Sequence, residues 1–353
     1  MRVRWREVAE LAGVSEATVS RVMNGKPGVS ARTKSVVLRA VNELGASSLV
    51  RARTLEAGLV GIVVPELDNP VFPAFAQALE GRMAAAGYTC VLGCATQVVD
   101  ELEYLGTLVE RGVAGFIIVS GRHADVQGDQ SAYHELIAQG VPMVFVNGES
   151  QGASAPCVSC DDRWASSLAV QHLASLGHRR IGFVSGPTRY VVVQRKLDGY
   201  RQAMAEVGAP VDEELIVDTV FSIEGGRAAV GSLLDRGATA AVAASDLMAL
   251  GTVLGARERG RAVPAEWSVV GFDDSALMAY TDPPLTTIRQ PVLAMCEHAS
   301  QLLLDQLGGA GRNDREYLFR PELVVRSSTA PTPARTPRRP VSATAGAGRA
   351  RRG

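Results

Sequence analysis

The sequence predicts a multidomain protein: an all-α helix-turn-helix headpiece, then an α/β core of two doubly wound parallel-sheet lobes. Three observations carry that prediction. Two short apolar-periodic segments flank Ala12-Gly13-Val14-Ser15 near the start of the chain. From Leu59 onward, continuous apolar runs alternate with helical stretches, the pattern of parallel strands covered on both faces. Charge is also divided: the 353-residue chain sums to −1, but residues 1–57 carry +5, 58–330 carry −12 and 331–353 carry +6. Basic ends on an acidic body are where a polyanion would be met.

In the first helix, Val8, Ala9, Leu11 and Ala12 form an inward face. Gly13 breaks it, and Ser15 is a good N-cap for a second helix with Val19, Val22 and Met23 inward. After the loop Gly25-Lys26-Pro27-Gly28, Ser30 caps a third helix running to about Leu44, with Val36, Val37, Ala40, Val41 and Leu44 apolar. Gly45 ends it. Glu16, Ala17, Ser20 and Arg21 lie opposite Val19 and Val22, as a groove-reading face requires. Arg21 suits a guanine edge, Ala17 a thymine methyl and Glu16 a cytosine amino group. Thr18, Asn24, Lys26, Ser30 and Thr33 suit phosphates, which position without reading sequence.

Residues 1–46 are thus a DNA-binding headpiece and 47–58 a hinge, since an isolated helix so short is marginal in water. The core spans 59–330. A break near Ser159–Asp161 divides it into lobe one, about 59–159 and 290–318, and lobe two, about 160–289 and 319–330. Val292–Leu307 and Tyr317–Val325 return the chain across both. The tail, 331–353, is rich in Pro, Ala, Thr, Gly and Arg and is expected to be disordered.

Several classes are disfavoured. No run approaches eighteen apolar residues. Arg2, Arg4 and Arg6 lead into Glu7 and Glu10 with no apolar stretch, unlike a signal peptide. Five sparse cysteines suit the reducing cytoplasm. Cys157-x-x-Cys160 falls in an expected strand, where residues three apart face opposite sides, so no metal site is expected there. Phosphate-loop, zinc-protease and nucleophile-elbow motifs are lacking, and His178 reads as structural. The expectation is a DNA-binding protein with no catalytic residues and no cofactor.

With these residues in view, the chain resembles the LacI/GalR family of bacterial transcription regulators over roughly 3–330. The motifs are Val8-Ala-Glu-Leu-Ala-Gly-Val-Ser, Thr18-Val-Ser-Arg-Val-Met-Asn, Ala52-Arg-Thr-Leu55, Gly61-Ile-Val-Val-Pro with Asp68-Asn-Pro, and Leu176-Gly-His-Arg-Arg-Ile-Gly. Val269-Val-Gly-Phe-Asp-Asp, Leu285-Thr-Thr-Ile-Arg-Gln-Pro and Pro321-Glu-Leu-Val-Val-Arg-Ser-Ser-Thr complete the series. The resemblance implies a homodimer with a periplasmic-binding-protein-like core, whose small-molecule effector shifts affinity for a pseudo-palindromic duplex operator. It places Ala52, Arg53 and Leu55 in the minor groove, Leu55 as the wedge. It places Phe72, Lys196, Phe221, Ser245, Asp246, Asp273 and Gln290 around an effector, expected to be sugar-related. Two departures stand out: Ala46-Ser-Ser-Leu49 replaces the family's Tyr-x-Pro-Asn, and Arg4-Trp5 stands where the first helix usually has a Thr cap. The competing readings are a transport-linked solute-binding protein, an activator, and a repressor that needs a corepressor.

Overall fold

The computed structural model describes residues 5–23, 29–43, 58–94, 101–149, 152–311 and 313–332. The hinge positions Ala52, Arg53 and Leu55 fall outside these residues, as do Arg4, Asn24, Lys26, Leu44, Gly45, the 46–49 segment and the tail from 333. The side chains of Met23 and Val41 are also outside them.

The headpiece is built from α1 (Trp5–Ala12), α2 (Glu16–Met23) and α3 (Ala31–Glu43). Gly13 takes φ 65°, the left-handed conformation that ends α1. The Val14 N–H donates to Ala9 O at 3.0 Å and the Gly13 N–H to Glu10 O at 3.4 Å, the paired bonds of a Schellman stop. Ser15 Oγ accepts the Thr18 N–H at 3.2 Å and Ser30 Oγ accepts the Thr33 N–H at 3.1 Å. Each cap is worth about 1 kcal/mol. Val8, Ala9, Ala12, Val19, Val22, Val37 and Ala40 form the core. Leu11 and Val36, expected inside, are 49% and 37% exposed. Three short helices enclose a single seam, and small Val and Ala side chains fill it without them.

The core holds twelve strands among the described residues. One sheet contains β1 (Leu59–Val64), β2 (Thr89–Cys94), β3 (Val113–Val119), β4 (Met143–Val146), β5 (Cys157–Cys160) and β11 (Glu316–Phe319). The other contains β6 (Ile181–Ser185), β7 (Ile216–Asp218), β8 (Ala240–Ala243), β9 (Ser268–Asp273), β10 (Thr286–Arg289) and β12 (Glu322–Val324). Their orders are β11-β5-β4-β3-β1-β2 and β12-β10-β9-β8-β6-β7. Every pairing is parallel except β12 against β10. The chain therefore passes between sheets three times: after β5, after β10, and between β11 and β12. The expected continuous segment Tyr317–Val325 is thus two strands. Tyr317 registers with Val158 in one sheet, Leu323 with Ile288 in the other. Pro321, which lacks an N–H to continue a ladder, stands at the break.

Burial follows the pleat. In the first sheet Ile62, Ile117, Val144 and Val158 face one core, while Val63, Phe116, Phe145 and Cys157 face another. Cys160 belongs to the former, so Cys157 and Cys160 lie on opposite faces. Each large apolar side chain so buried contributes about 1.5–3 kcal/mol. Buried His178 hydrogen-bonds Thr239 Oγ1 at 2.8 Å, Ser268 Oγ at 3.1 Å and Ala330 O at 3.0 Å. It tethers the last described segment to lobe two.

Candidate functional site

Two surfaces carry candidate chemistry. On α2, Glu16, Ala17 and Arg21 are exposed and Ser20 is half-buried, while Val19 and Val22 on the opposite side are buried. Arg21 sits in the last turn. Thr18 and Thr33 turn their hydroxyls to the capping serines, with Ser15 Oγ–Thr18 Oγ1 at 2.9 Å and Ser30 Oγ–Thr33 Oγ1 at 2.8 Å. Both pairs therefore mark helix N-termini, where backbone N–H groups meet anions.

The second surface is a cleft of about 570 Å³ between the lobes, at the carboxyl ends of the strands. Phe72, Lys196, Phe221, Ser245, Asp273 and Gln290 line it together. Phe72 is in the first turn of the helix Val71–Ala85 and Lys196 is on Val191–Glu206. Phe221 precedes the Ser222-capped helix Ile223–Asp235 and fits because Gly186 leaves room: a Cβ there would collide with its ring. Asp246 is not on this wall. Ser245 caps the helix Asp246–Glu258 through the Met248 N–H at 3.3 Å, which turns the next residue back against the sheet. There Asp246 accepts from Thr287 Oγ1 at 2.6 Å and the Ser275 N–H at 2.8 Å.

Sequence reasoning missed Asn147, Asp162, Tyr190 and Phe272, which also line the cleft. A signal for three of them exists: Asn147, Asp162 and Phe272 lie at or just beyond the carboxyl end of a strand. Asn147 Nδ2 donates to Gln290 Oε1 at 3.3 Å, and Gln290 Nε2 donates to Asp273 Oδ1 at 2.7 Å. This chain runs from lobe one, through a crossover, to lobe two. Asp273 holds φ 124° and Asn147 φ 58°, conformations that non-glycine residues keep only where the surroundings impose them. Next to Asp273, Asp274 is gripped by Arg289 Nε at 2.7 Å and Arg326 Nη2 at 2.6 Å. Those two arginines hold the turn that aims Asp273.

Lys196 is committed on three sides. Its Nζ lies 3.6 Å from Asp162 Oδ1, donates to Ala244 O at 3.3 Å, and stands 3.6 Å from the Phe272 ring centroid. Burial pushes the Asp162 carboxyl up to about 6, with Lys196 and Arg195 pulling the other way. Burial also raises Asp273, and the neighbouring Asp246 charge raises it further. The cleft thus offers carboxylates, amides and aromatic rings, a set suited to hydroxyl-rich ligands.

Known proteins share both domains. Residues 5–45 match the model of bacterial regulatory proteins of the lacI family, and residues 170–329 match a periplasmic binding protein-like domain. The chain is 52% identical over 341 residues to the HTH-type transcriptional regulator reg1 of Streptomyces lividans, covering 94% of this chain and 98% of that one. It is 51% identical to the regulator MalR of Streptomyces coelicolor over 94% and 98% of the two chains. Among solved structures, the complex of the transcriptional regulator CelR with cellobiose superposes at TM-score 0.70, with 32% identity, covering 93% of this chain and 100% of that one. The lac repressor dimer bound to operator and the anti-inducer ONPF superposes at 0.67, with 28% identity over 94% and 100%.

Proposed function

The chain belongs to the LacI family of bacterial regulatory proteins, DNA-binding transcriptional regulators, and on that premise we propose a homodimeric cytoplasmic repressor released from its operator by a neutral sugar. Its work is binding; no catalytic step is assigned. Residues 1–46 are the headpiece, 47–58 the hinge and 59–330 the effector-binding and dimerising core. Arg21, Ala17, Glu16 and Ser20 read bases of a pseudo-palindromic operator. Thr18, Asn24, Lys26, Ser30 and Thr33 seat the backbone, and Ala52, Arg53 and Leu55 enter the minor groove.

The observation that carries the reading is the hydrogen-bond chain Asn147–Gln290–Asp273 across the cleft. A hydroxylated ligand that competes for Gln290 and Asp273 exchanges its bonds for those joining the lobes. Its affinity therefore depends on lobe orientation, which is what coupling to the headpieces requires. Phe72 and Phe221 supply walls for a sugar face, and Ser245 and Lys196 further polar contacts. Charge favours a neutral ligand. Glu66, Asp68, Asp162 and Asp273 line the cleft with Lys196 as the one cation among the described lining residues, and Lys196 already faces Asp162. A phosphorylated sugar would meet carboxylates without a free counter-charge.

The test is to select bound duplexes from a random pool with the full chain, then titrate sugars onto the operator complex at fixed salt. Cellobiose and ribose, named with two structural neighbours, are the first candidates, each compared with its phosphate ester. Release by a neutral sugar is expected, and Asp273→Ala should abolish it while leaving operator binding intact. Release only by phosphorylated sugars would overturn the assignment.

A further inference from the structure

One stretch of lobe two, Arg189–Lys196, reaches lobe one at two points, one near each of its ends. At one of them Arg195, 11% exposed at its side chain, is held deep. It donates to Glu316 on β11 through Nη1 at 2.5 Å and Nη2 at 3.0 Å, and to Glu149 at 3.2 Å. At the other, on the rim, the link is slight. Asp125 and Tyr190 form an isolated antiparallel bridge, the Val126 N–H donates to Arg189 O at 2.9 Å, and Arg189 Nε lies 3.3 Å from Asp125 Oδ2. The Arg189 side chain is half exposed.

The rim contact is nevertheless built. Gln130 Nε2 donates to the carbonyls of His123 and Asp125, both at 3.1 Å, and Glu101 accepts the Arg122 N–H at 3.1 Å. His123 is stacked on Phe145 with centroids 4.5 Å apart. Lobe one therefore presents Asp125 on a rigid base. On the facing side, Arg189 Nη2 donates to Tyr190 Oη at 3.1 Å, and its guanidinium stands 5.1 Å from that ring. Ala124 and Tyr190, the neighbours of the two contact points, both line the cleft.

We propose that Asp125–Val126 and Arg189–Tyr190 form a clasp that closes the mouth of the cleft, with Arg189 positioning Tyr190 as its movable aromatic wall. The asymmetry of the two points supplies the mechanism. A buried bidentate pair resists separation, whereas one half-exposed ion pair and one backbone bond part readily. The lobes then open at the Asp125 rim and pivot on the Arg195 side. Effector enters and leaves by the Tyr190 mouth. The significance of the clasp rests on the cleft being the effector site, but its existence can be tested with no effector present.

The experiment uses the full chain carrying Ala244→Cys, which places a thiol on the cleft wall, with and without Asp125→Asn, Arg189→Ala or the paired swap Asp125→Lys/Arg189→Glu. Two rates are followed by peptide-resolved mass spectrometry: iodoacetamide modification of the new thiol, and hydrogen exchange of residues 124–128. Each single variant should raise both rates roughly two- to fivefold, the range of one exposed ion pair. The swap should restore thiol modification but not the exchange of Gln127, whose N–H loses Asp125 Oδ1 as its acceptor at 3.0 Å. Strand β9 should keep its exchange rate, separating local opening from unfolding. Unchanged rates in the single variants would overturn the clasp. Faster exchange with unchanged thiol modification would overturn its role as a gate. Failure of the swap to restore thiol modification would overturn the Asp125–Arg189 assignment. Failure of every sugar to release operator, with these rates behaving as expected, would instead remove the effector reading and leave the clasp standing.

Discussion

The headpiece and the cleft spend their polar residues in opposite ways. On α2 the side chains proposed to read the groove, Glu16, Ala17 and Arg21, are those the small core does not use, and they stand in solvent. In the cleft Lys196, Asp273 and Gln290 are each at most 7% exposed, with Gln290 bonded to Asp273 and Lys196 facing Asp162. The difference teaches where function and stability are separable. A headpiece residue can be changed for its contact alone, while a cleft residue cannot be removed without stranding a buried partner.

The largest expected effect tests the cleft half of that contrast. Lys196→Met leaves the Asp162 carboxylate buried and unpaired, and should cost about 3 kcal/mol of core stability at pH 8. The loss should shrink towards pH 5, where Asp162 takes up a proton; urea denaturation at both pH values measures it. A full-sized loss at pH 5 would break the comparison. Next, Arg21→Ala should lower discrimination between operator and random duplex by about 1–3 kcal/mol with no change in melting temperature. Competition binding at one salt concentration, beside a thermal melt, decides it. If the melt falls instead, Arg21 belongs to the fold.

Asp273→Asn sharpens the contrast through pH. The Asp273 carboxyl is raised by burial and by the Asp246 charge. Its contribution is therefore full below the ordinary carboxylate range and lost as pH rises through its folded value. The wild-type core should lose stability between pH 5 and pH 8, and the Asn variant should flatten that slope by on the order of 1 kcal/mol. Its operator binding should persist while the effector response disappears. The smallest effect belongs to the headpiece: Ser15→Ala removes the cap on α2 and should cost about 1 kcal/mol. It is read as faster amide exchange over 16–23, with operator affinity lowered equally for all sequences.

Legibility in sequence follows the same divide. The helix-turn-helix is written in nearest-neighbour chemistry: Gly13 stops one helix, Ser15 starts the next, and Val19 and Val22 mark the inward side. Even the misplacement of Leu11 and Val36 concerns only how wide a stripe three short helices bury. The cleft draws on segments from Pro65 to Gln290, and no local pattern says which strand ends converge. Asp273 and Gln290 lie in motifs of the family, and Phe72, Lys196, Phe221 and Ser245 stand only at positions matching the family's. Asp246 sits one residue past a cap, and its carboxylate turns to Thr287 and the Ser275 N–H instead of lining the cleft. Tyr190 left no signal, since its place depends on a bridge between lobes.

The three passages between sheets have a consequence for synthesis on the ribosome. Sheet one needs β11 and sheet two needs β12, within the last described tenth of the chain. Neither sheet is complete until β11 and β12 have been translated. The headpiece, complete by Glu43, emerges on the order of tens of seconds earlier at ordinary elongation rates. During that interval the nascent chain displays a folded headpiece without the body that governs it, together with edges of β5 and β10 not yet paired with β11 and β12.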